Sequence, residues 1–138
     1  MSVIKIHILG ERDRLQERFR SMADDLFRMT QPSTKCRCEW IPAVDLYEAD
    51  GSLFMVAALG GVDMESIELT LNSSYLRLSG NRKSPAGVER GKQYFQMEIE
   101  YGPFERIIRL PFSVDPEKVQ VNYANGMLVT RMYRLPRG

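Results

Sequence analysis

What most constrains this chain is a strand that is forced to stop, followed shortly by a turn that is forced to be tight. The segment Phe104-Glu105-Arg106-Ile107-Ile108-Arg109-Leu110-Pro111 places Phe104, Ile108 and Leu110 on one face of an extended chain, because side chains alternate with period two. Pro111 has no N–H to give to a ladder, so the strand ends there. Asn125-Gly126 then supplies the two positive-φ positions of a two-residue hairpin. Arg106 falls on the same face as Phe104 and Ile108, and an inward arginine needs a carboxylate or carbonyl partner.

The same grammar runs upstream. Trp40-Ile41-Pro42 opens a region in which Val44 and Leu46 alternate with Asp45 and Tyr47, and Asp50-Gly51 is a second hairpin signal. Leu53 to Leu59 is almost continuously apolar, which predicts a strand covered on both faces. Ile67, Leu69 and Leu71 alternate with polar residues, Asn72-Ser73-Ser74 reads as a short turn, and Leu76 and Leu78 continue the pattern. Phe95, Met97, Ile99 and Tyr101 alternate with Gln96, Glu98 and Glu100, so a further strand is expected there. Val114 to Glu117 reads as a turn before a strand carrying Val119, Val121 and Tyr123, and Leu128, Thr130 and Met132 close the pattern. Short strands separated by turns at this spacing predict an all-β sandwich.

Three of these pieces together, the Tyr101-Gly102-x-Phe104-x-Arg106 corner, the Leu110-Pro111 stop and the Asn125-Gly126-x-Leu128 turn, resemble the alpha-crystallin domain of the small heat-shock proteins. The resemblance covers 40–132. It implies an immunoglobulin-like antiparallel β-sandwich, with 1–39 as an N-terminal helical arm and 133–138 as a short tail. It further implies a groove between two edge strands that accepts an Ile-x-Ile tail from another subunit. Mapped here, the groove walls are Ile67, Leu69 and Leu71 with Val119, Val121 and Tyr123. The segment Gly80 to Gly91 corresponds to the part of bacterial and plant members that crosses to a partner, which implies a strand-exchanged dimer. Two departures stand out. The family's Leu-Pro-Gly step is Leu59-Gly60-Gly61 here, and Arg134-Leu135-Pro136-Arg137-Gly138 carries no Ile-x-Ile. Ile4-Lys5-Ile6 and Ile6-His7-Ile8 have the required alternation, so Ile4, Ile6 and Ile8 are expected to fill the groove from the other end of the chain.

The arm itself changes period. Val3 to Leu9 alternates as a strand, and from Leu15 the apolar residues Phe19, Met22, Leu26 and Met29 recur at three and four, forming one stripe of a helix. Packing against its own domain or a sister helix is the plain role for that stripe. The functional one is binding to unfolded clients, for which Phe19, Met22, Leu26 and Phe27 suit, methionine being adaptable.

Chemistry is sparse. His7 is the single histidine, and Cys36 and Cys38 are the two cysteines; all lie in the arm, which leaves no Ser-His-Asp or Cys-His set on a fixed scaffold. One Cys-x-Cys pair falls short of the four ligands of a zinc site, so no cofactor or metal is expected, although a redox or metal-responsive protein acting through the two thiols is a separate class to test. No phosphate-binding glycine loop precedes a helix. Nineteen basic and eighteen acidic residues leave a net charge of +1, which provides no field to gather nucleic acid or anionic lipid. No apolar run reaches the length of a membrane span, and the N-terminus lacks a secretory pattern, so a cytoplasmic location is expected. Together with these absences, the resemblance to small heat-shock proteins implies a non-enzymatic, ATP-independent holdase that self-associates and binds partly unfolded proteins. A structural adaptor docking one native partner through the sandwich edge is the alternative.

Overall fold

The computed structural model describes residues 4–8, 40–85 and 91–136. Eight strands are present there: β1 (Lys5–Ile8), β2 (Val44–Ala49), β3 (Ser52–Ala58), β4 (Glu68–Leu71), β5 (Tyr75–Arg82), β6 (Gly102–Arg109), β7 (Val114–Ala124) and β8 (Met127–Arg134). They form two four-stranded sheets, in the orders β1-β4-β5-β6 and β2-β3-β8-β7. Every pairing is antiparallel except β1 with β4, which is parallel. The sandwich expected from the strand pattern is therefore the architecture found. The helical stripe from Leu15 to Met29 lies outside the described residues.

Local chemistry explains the turns. Asp50 and Gly51 take φ of 52° and 72°, and Asn125 and Gly126 take 55° and 77°. These are the paired left-handed positions of the tight hairpins joining β2 to β3 and β7 to β8. Asn72 shapes the β4–β5 turn differently. Its side-chain oxygen accepts from the backbone N–H groups of Ser74 at 2.8 Å and Tyr75 at 2.7 Å, the reach for which Asn is favoured in turns.

One core fills the space between the layers. Leu69, Leu71, Leu76, Leu78, Phe104 and Ile108 face it from one sheet, and Leu53, Met55, Ala57, Leu128 and Met132 from the other. Gly80 stands opposite Phe104 in the β5–β6 ladder, and the ring lies where a side chain at Gly80 would begin, 2.6 Å from the ideal Cβ position. Trp40 seals this end. Its ring packs on Phe104 at 4.8 Å between centroids, and its indole N–H donates to the Gly102 carbonyl at 2.8 Å. Arg106 does face inward, and its guanidinium donates to the Pro42 carbonyl at 2.8 Å, which is the carbonyl partner its position demanded.

Three local expectations are corrected. The apolar run from Leu53 is covered on one face only: Phe54 and Val56 are half-buried on the outside of the sheet, because this is the outer face of a two-layer sandwich and not the middle of three layers. Val114 to Glu117 belongs to β7 instead of preceding it. The ladder with β8 is irregular between Val114 and Val119, where the Asp115 carboxylate accepts from the Glu117 N–H at 3.0 Å. Finally, Phe95 to Ile99 forms no strand. Strand structure is a property of a pair, and alternation without a neighbouring edge leaves the backbone to water.

Candidate functional site

Two open margins of the sandwich concentrate apolar side chains. The first involves β7, the edge strand of one sheet, and β4, next to the edge strand β1 of the other, whose apolar residues pack on one core. β4 contributes Leu69 and Leu71, and Ile67 stands just before it; all are essentially buried, Ile67 at 0% and the two leucines at 1% exposure. They are thus core residues here and not an open groove wall. From β7, Val119, Val121 and Tyr123 remain half-buried against the same core, so the accessible wall of this margin is the β7 side.

Tyr123 closes one end of that wall. Its hydroxyl donates to the Leu59 carbonyl, 2.5 Å away, and lies 3.1 Å from the Val62 carbonyl. The Leu59 N–H in turn donates to the Gly126 carbonyl at 2.7 Å. The Leu59-Gly60-Gly61 turn, which lacks the family's proline, is held from outside by these contacts. Burial pushes the phenol above its ordinary value, with the Arg82 charge opposing.

β1 covers the β4 side. It pairs with β4 in the register Lys5 to Glu68, Ile6 to Leu69, His7 to Thr70 and Ile8 to Leu71. Side chains directly opposite in a ladder project to the same face, so Ile6 and Ile8 lean over the margin beside Leu69 and Leu71. Ile4 packs on the core from the same side.

The second margin is the free edge of β2, which has β3 on one side only. Val44 and Leu46 point inward there and stay half-buried. On the same molecule, Tyr94, Phe95, Met97 and Ile99 stand exposed at 55%, 94%, 68% and 61%. The root of this segment is fixed: Arg82 donates to the Glu100 carbonyl at 3.0 Å and to the Gly60 carbonyl at 2.8 Å, while its guanidinium lies 3.9 Å from the centre of the Trp40 ring. The exposed alternation lies downstream of Gly80–Gly91, where the crossing segment was expected. Sequence alone also missed an aromatic row on the outer face of β2, β3 and β8. Tyr47 stacks on Phe54 at 5.3 Å, and Arg131 spans Phe54 and Tyr133 at 5.5 Å and 4.9 Å. The signal was present in Tyr47, which alternates out of phase with Val44 and Leu46.

Phe19, Met22, Leu26 and Phe27 lie outside the described residues, as do Cys36 and Cys38. Among the described residues no group of three or more histidine, cysteine or acidic side chains is placed to hold a metal ion, and no helix is long and apolar enough to cross a membrane.

The sequence model of the Hsp20/alpha crystallin family matches residues 45–137. The chain belongs to that family. Small heat shock protein C4 of Rickettsia felis is 32% identical over 87 residues, 63% of this chain and 53% of that protein. Spore protein SP21 of Stigmatella aurantiaca is 30% identical over 97 residues, 70% of this chain and 57% of that protein. This chain therefore spans a little over half the length of those curated relatives. The crystal structure of hspA from Xanthomonas axonopodis is 31% identical, with a TM-score of 0.64 over 73% of this chain and 100% of that one. A small heat-shock protein from Xylella fastidiosa is 26% identical, with a TM-score of 0.63 over 73% and 93%. The matched residues 45–137 carry β2 to β8 but for Val44, and β1 lies outside them.

Proposed function

We propose that this small heat-shock protein is an ATP-independent holdase that binds partly unfolded proteins and keeps them from aggregating. The observation that carries the reading is apolar side chains left wholly or partly open on the sandwich: Val119, Val121 and Tyr123, half-buried along β7, and the exposed Tyr94, Phe95, Met97 and Ile99 ahead of β6. A non-native client exposes apolar surface worth roughly 25 cal/mol per Å² when buried. Covering part of it on a soluble protein competes with client–client association. Phe19, Met22, Leu26 and Phe27 of the arm belong to the proposed client surface as well.

Self-association is part of the proposal. An extended Tyr94–Ile99 segment presents Phe95, Met97 and Ile99 on one side, and the β2 edge of a second copy offers unpaired backbone beside Val44 and Leu46. Strand addition would satisfy both and give the strand-exchanged dimer. Several weak client contacts on one assembly then add through avidity.

The test is light scattering from a heated model substrate with and without the chain, in the absence of ATP. Suppression at near-stoichiometric ratios is expected. Scattering unchanged at several-fold excess would favour the adaptor role, in which the same edges dock one native partner.

A further inference from the structure

The sequence of β3 asks for cover on both faces, and the single chain covers only one. On β5, Leu76 and Leu78 face the core and Arg77, Ser79 and Asn81 alternate with them, the ordinary pattern of a sheet with water on one side. β3 departs from it. Leu53, Met55 and Ala57 are buried, yet Phe54 and Val56 also point outward and stay half-buried. Val129 stands opposite Val56 on β8, and Tyr47 stacks on Phe54 from β2 at 5.3 Å. An apolar strip therefore crosses the outer face of this sheet. Two charges flank it on the same face. Asp45 lies opposite Val56 on β2 and is exposed. Arg131 lies opposite Phe54 on β8, where its Nε donates to the Ser52 hydroxyl at 3.1 Å and its guanidinium lies 5.5 Å and 4.9 Å from the Phe54 and Tyr133 ring centres. Among the described residues, no acceptor meets the terminal nitrogens of Arg131 and no cation meets Asp45.

We infer that the outer face of β2, β3 and β8 docks a second copy of this chain, face to face about a two-fold axis, with Asp45 of each copy on Arg131 of the other. Charge complementarity selects this occupant. In a two-fold contact a patch meets itself, so a residue that touches a second is touched by it in turn. One unpaired acid and one unpaired base, with an apolar strip between them, meet that condition. A face carrying one sign of charge would repel its own copy. The two faces then stack as the sheets of a sandwich do, and Phe54, Val56 and Val129 gain the outer cover that their sequence pattern calls for.

This contact uses neither the backbone edge of β2 nor the Tyr94–Ile99 segment, because side chains on a sheet face project away from its edges. It gains only the open remainder of half-buried side chains. It is therefore the weaker association, forming at high concentration and leaving the dilute species unchanged. It depends on no client and on no holdase activity.

The experiment is sedimentation velocity of the full chain from about 1 µM to about 500 µM, a range that brackets a weak association. Mass should rise with concentration. Asp45→Arg and Arg131→Asp each set like charges together on both sides of the axis, and each should weaken the association at least about tenfold. An equimolar mixture of these two variants should associate again, because every contact between them then joins an acid to a base. The double variant Asp45→Arg/Arg131→Asp should return to within about threefold of the parent, the signature of a direct pair. Circular dichroism checks each fold. If Arg131→Asp does not fold, Arg131→Gln replaces it and should weaken the association less than Asp45→Arg does. A mass that stays constant with concentration, single variants that associate like the parent, or a mixture that stays apart would overturn the inference, and the face would then belong to the chain's own arm or to another protein. A changed mass at the lowest concentration would overturn it too, because the charges would then be acting at the β2 edge.

Discussion

Tyr123 shows how one side chain joins the candidate surface to the stability of the fold. Its ring forms part of the β7 wall, and its hydroxyl holds the Leu59-Gly60-Gly61 turn through the Leu59 and Val62 carbonyls. Tyr123→Phe keeps the wall apolar and leaves those carbonyls without this donor. The expected loss is about 1 kcal/mol, read as a lower urea midpoint with an unchanged slope. The titration has a definite sign. Burial raises the folded phenol above its ordinary value of 10.0, so below that value both states are neutral and the contribution is fully present. As pH climbs past it, the unfolded chain loses its proton first and stability is lost through the folded value. Urea midpoints taken from about pH 8 to about pH 11 should fall more steeply for the parent than for Tyr123→Phe; parallel curves would show that the buried phenol carries no linkage. At this scale the sequence stated needs better than partners. Arg106 visibly required an acceptor, yet the Pro42 carbonyl that meets it is 64 residues away, and nothing local points to it.

At the level of elements, the exposed Tyr94–Ile99 segment separates assembly from folding. Phe95 is 94% exposed and Met97 68%, so replacing both with serine removes no core packing from the single chain. Phe95→Ser/Met97→Ser should therefore leave the thermal midpoint of a dilute, monomeric sample within about 2 °C, since surface substitutions of this kind change stability by only a few tenths of a kcal/mol. The same variant should shift native mass from dimer to monomer. A dimer that persists would place the interface elsewhere. This segment also marks where pattern reading fails. The Asp50-Gly51 and Asn125-Gly126 hairpins were legible because a turn's backbone chemistry lies within two residues. The alternation of Phe95 to Tyr101 was equally clear but needed a neighbour the single chain does not provide. β1 lies between these cases. Its period was visible in Ile4, Ile6 and Ile8, whereas its parallel register on β4 depends on contacts across more than sixty residues. Period likewise could not tell Ile67, Leu69 and Leu71, sealed in the core, from Val119, Val121 and Tyr123, left half-open. Both rows alternate identically, and their different burial depends on packing between the sheets, which period does not report.

For the molecule as a whole, the proposed holdase role raises the question of which force would bring a client to the surface. Net charge is +1, with acidic and basic residues almost equal, so no long-range field steers partners in. Two of the placed arginines are paired locally: Arg77 meets Glu105 at 2.6 Å across β5 and β6, and Arg82 is committed to the Gly60 and Glu100 carbonyls. Exposed charges of both signs remain, among them Asp45, Lys83, Glu117 and Lys118, but the large side chains left open at Tyr94, Phe95, Met97 and Ile99 are apolar or aromatic. Screening acts on exposed charges over a Debye length of about 8–10 Å at physiological salt, but it does not weaken apolar burial, which excluded salts such as sulfate strengthen. Capture should therefore be nearly independent of sodium chloride. Between roughly 50 mM and 500 mM, the ratio of chain to substrate that halves scattering should change by less than about twofold, and sulfate at equal ionic strength should lower it. The substrate alone must be measured at each salt, because its own aggregation also responds. A tenfold rise in the required ratio with sodium chloride would mean that charge complementarity does the binding. The apolar margins of the sandwich would then be interfaces between copies only, and the client surface would have to be sought among the charged residues.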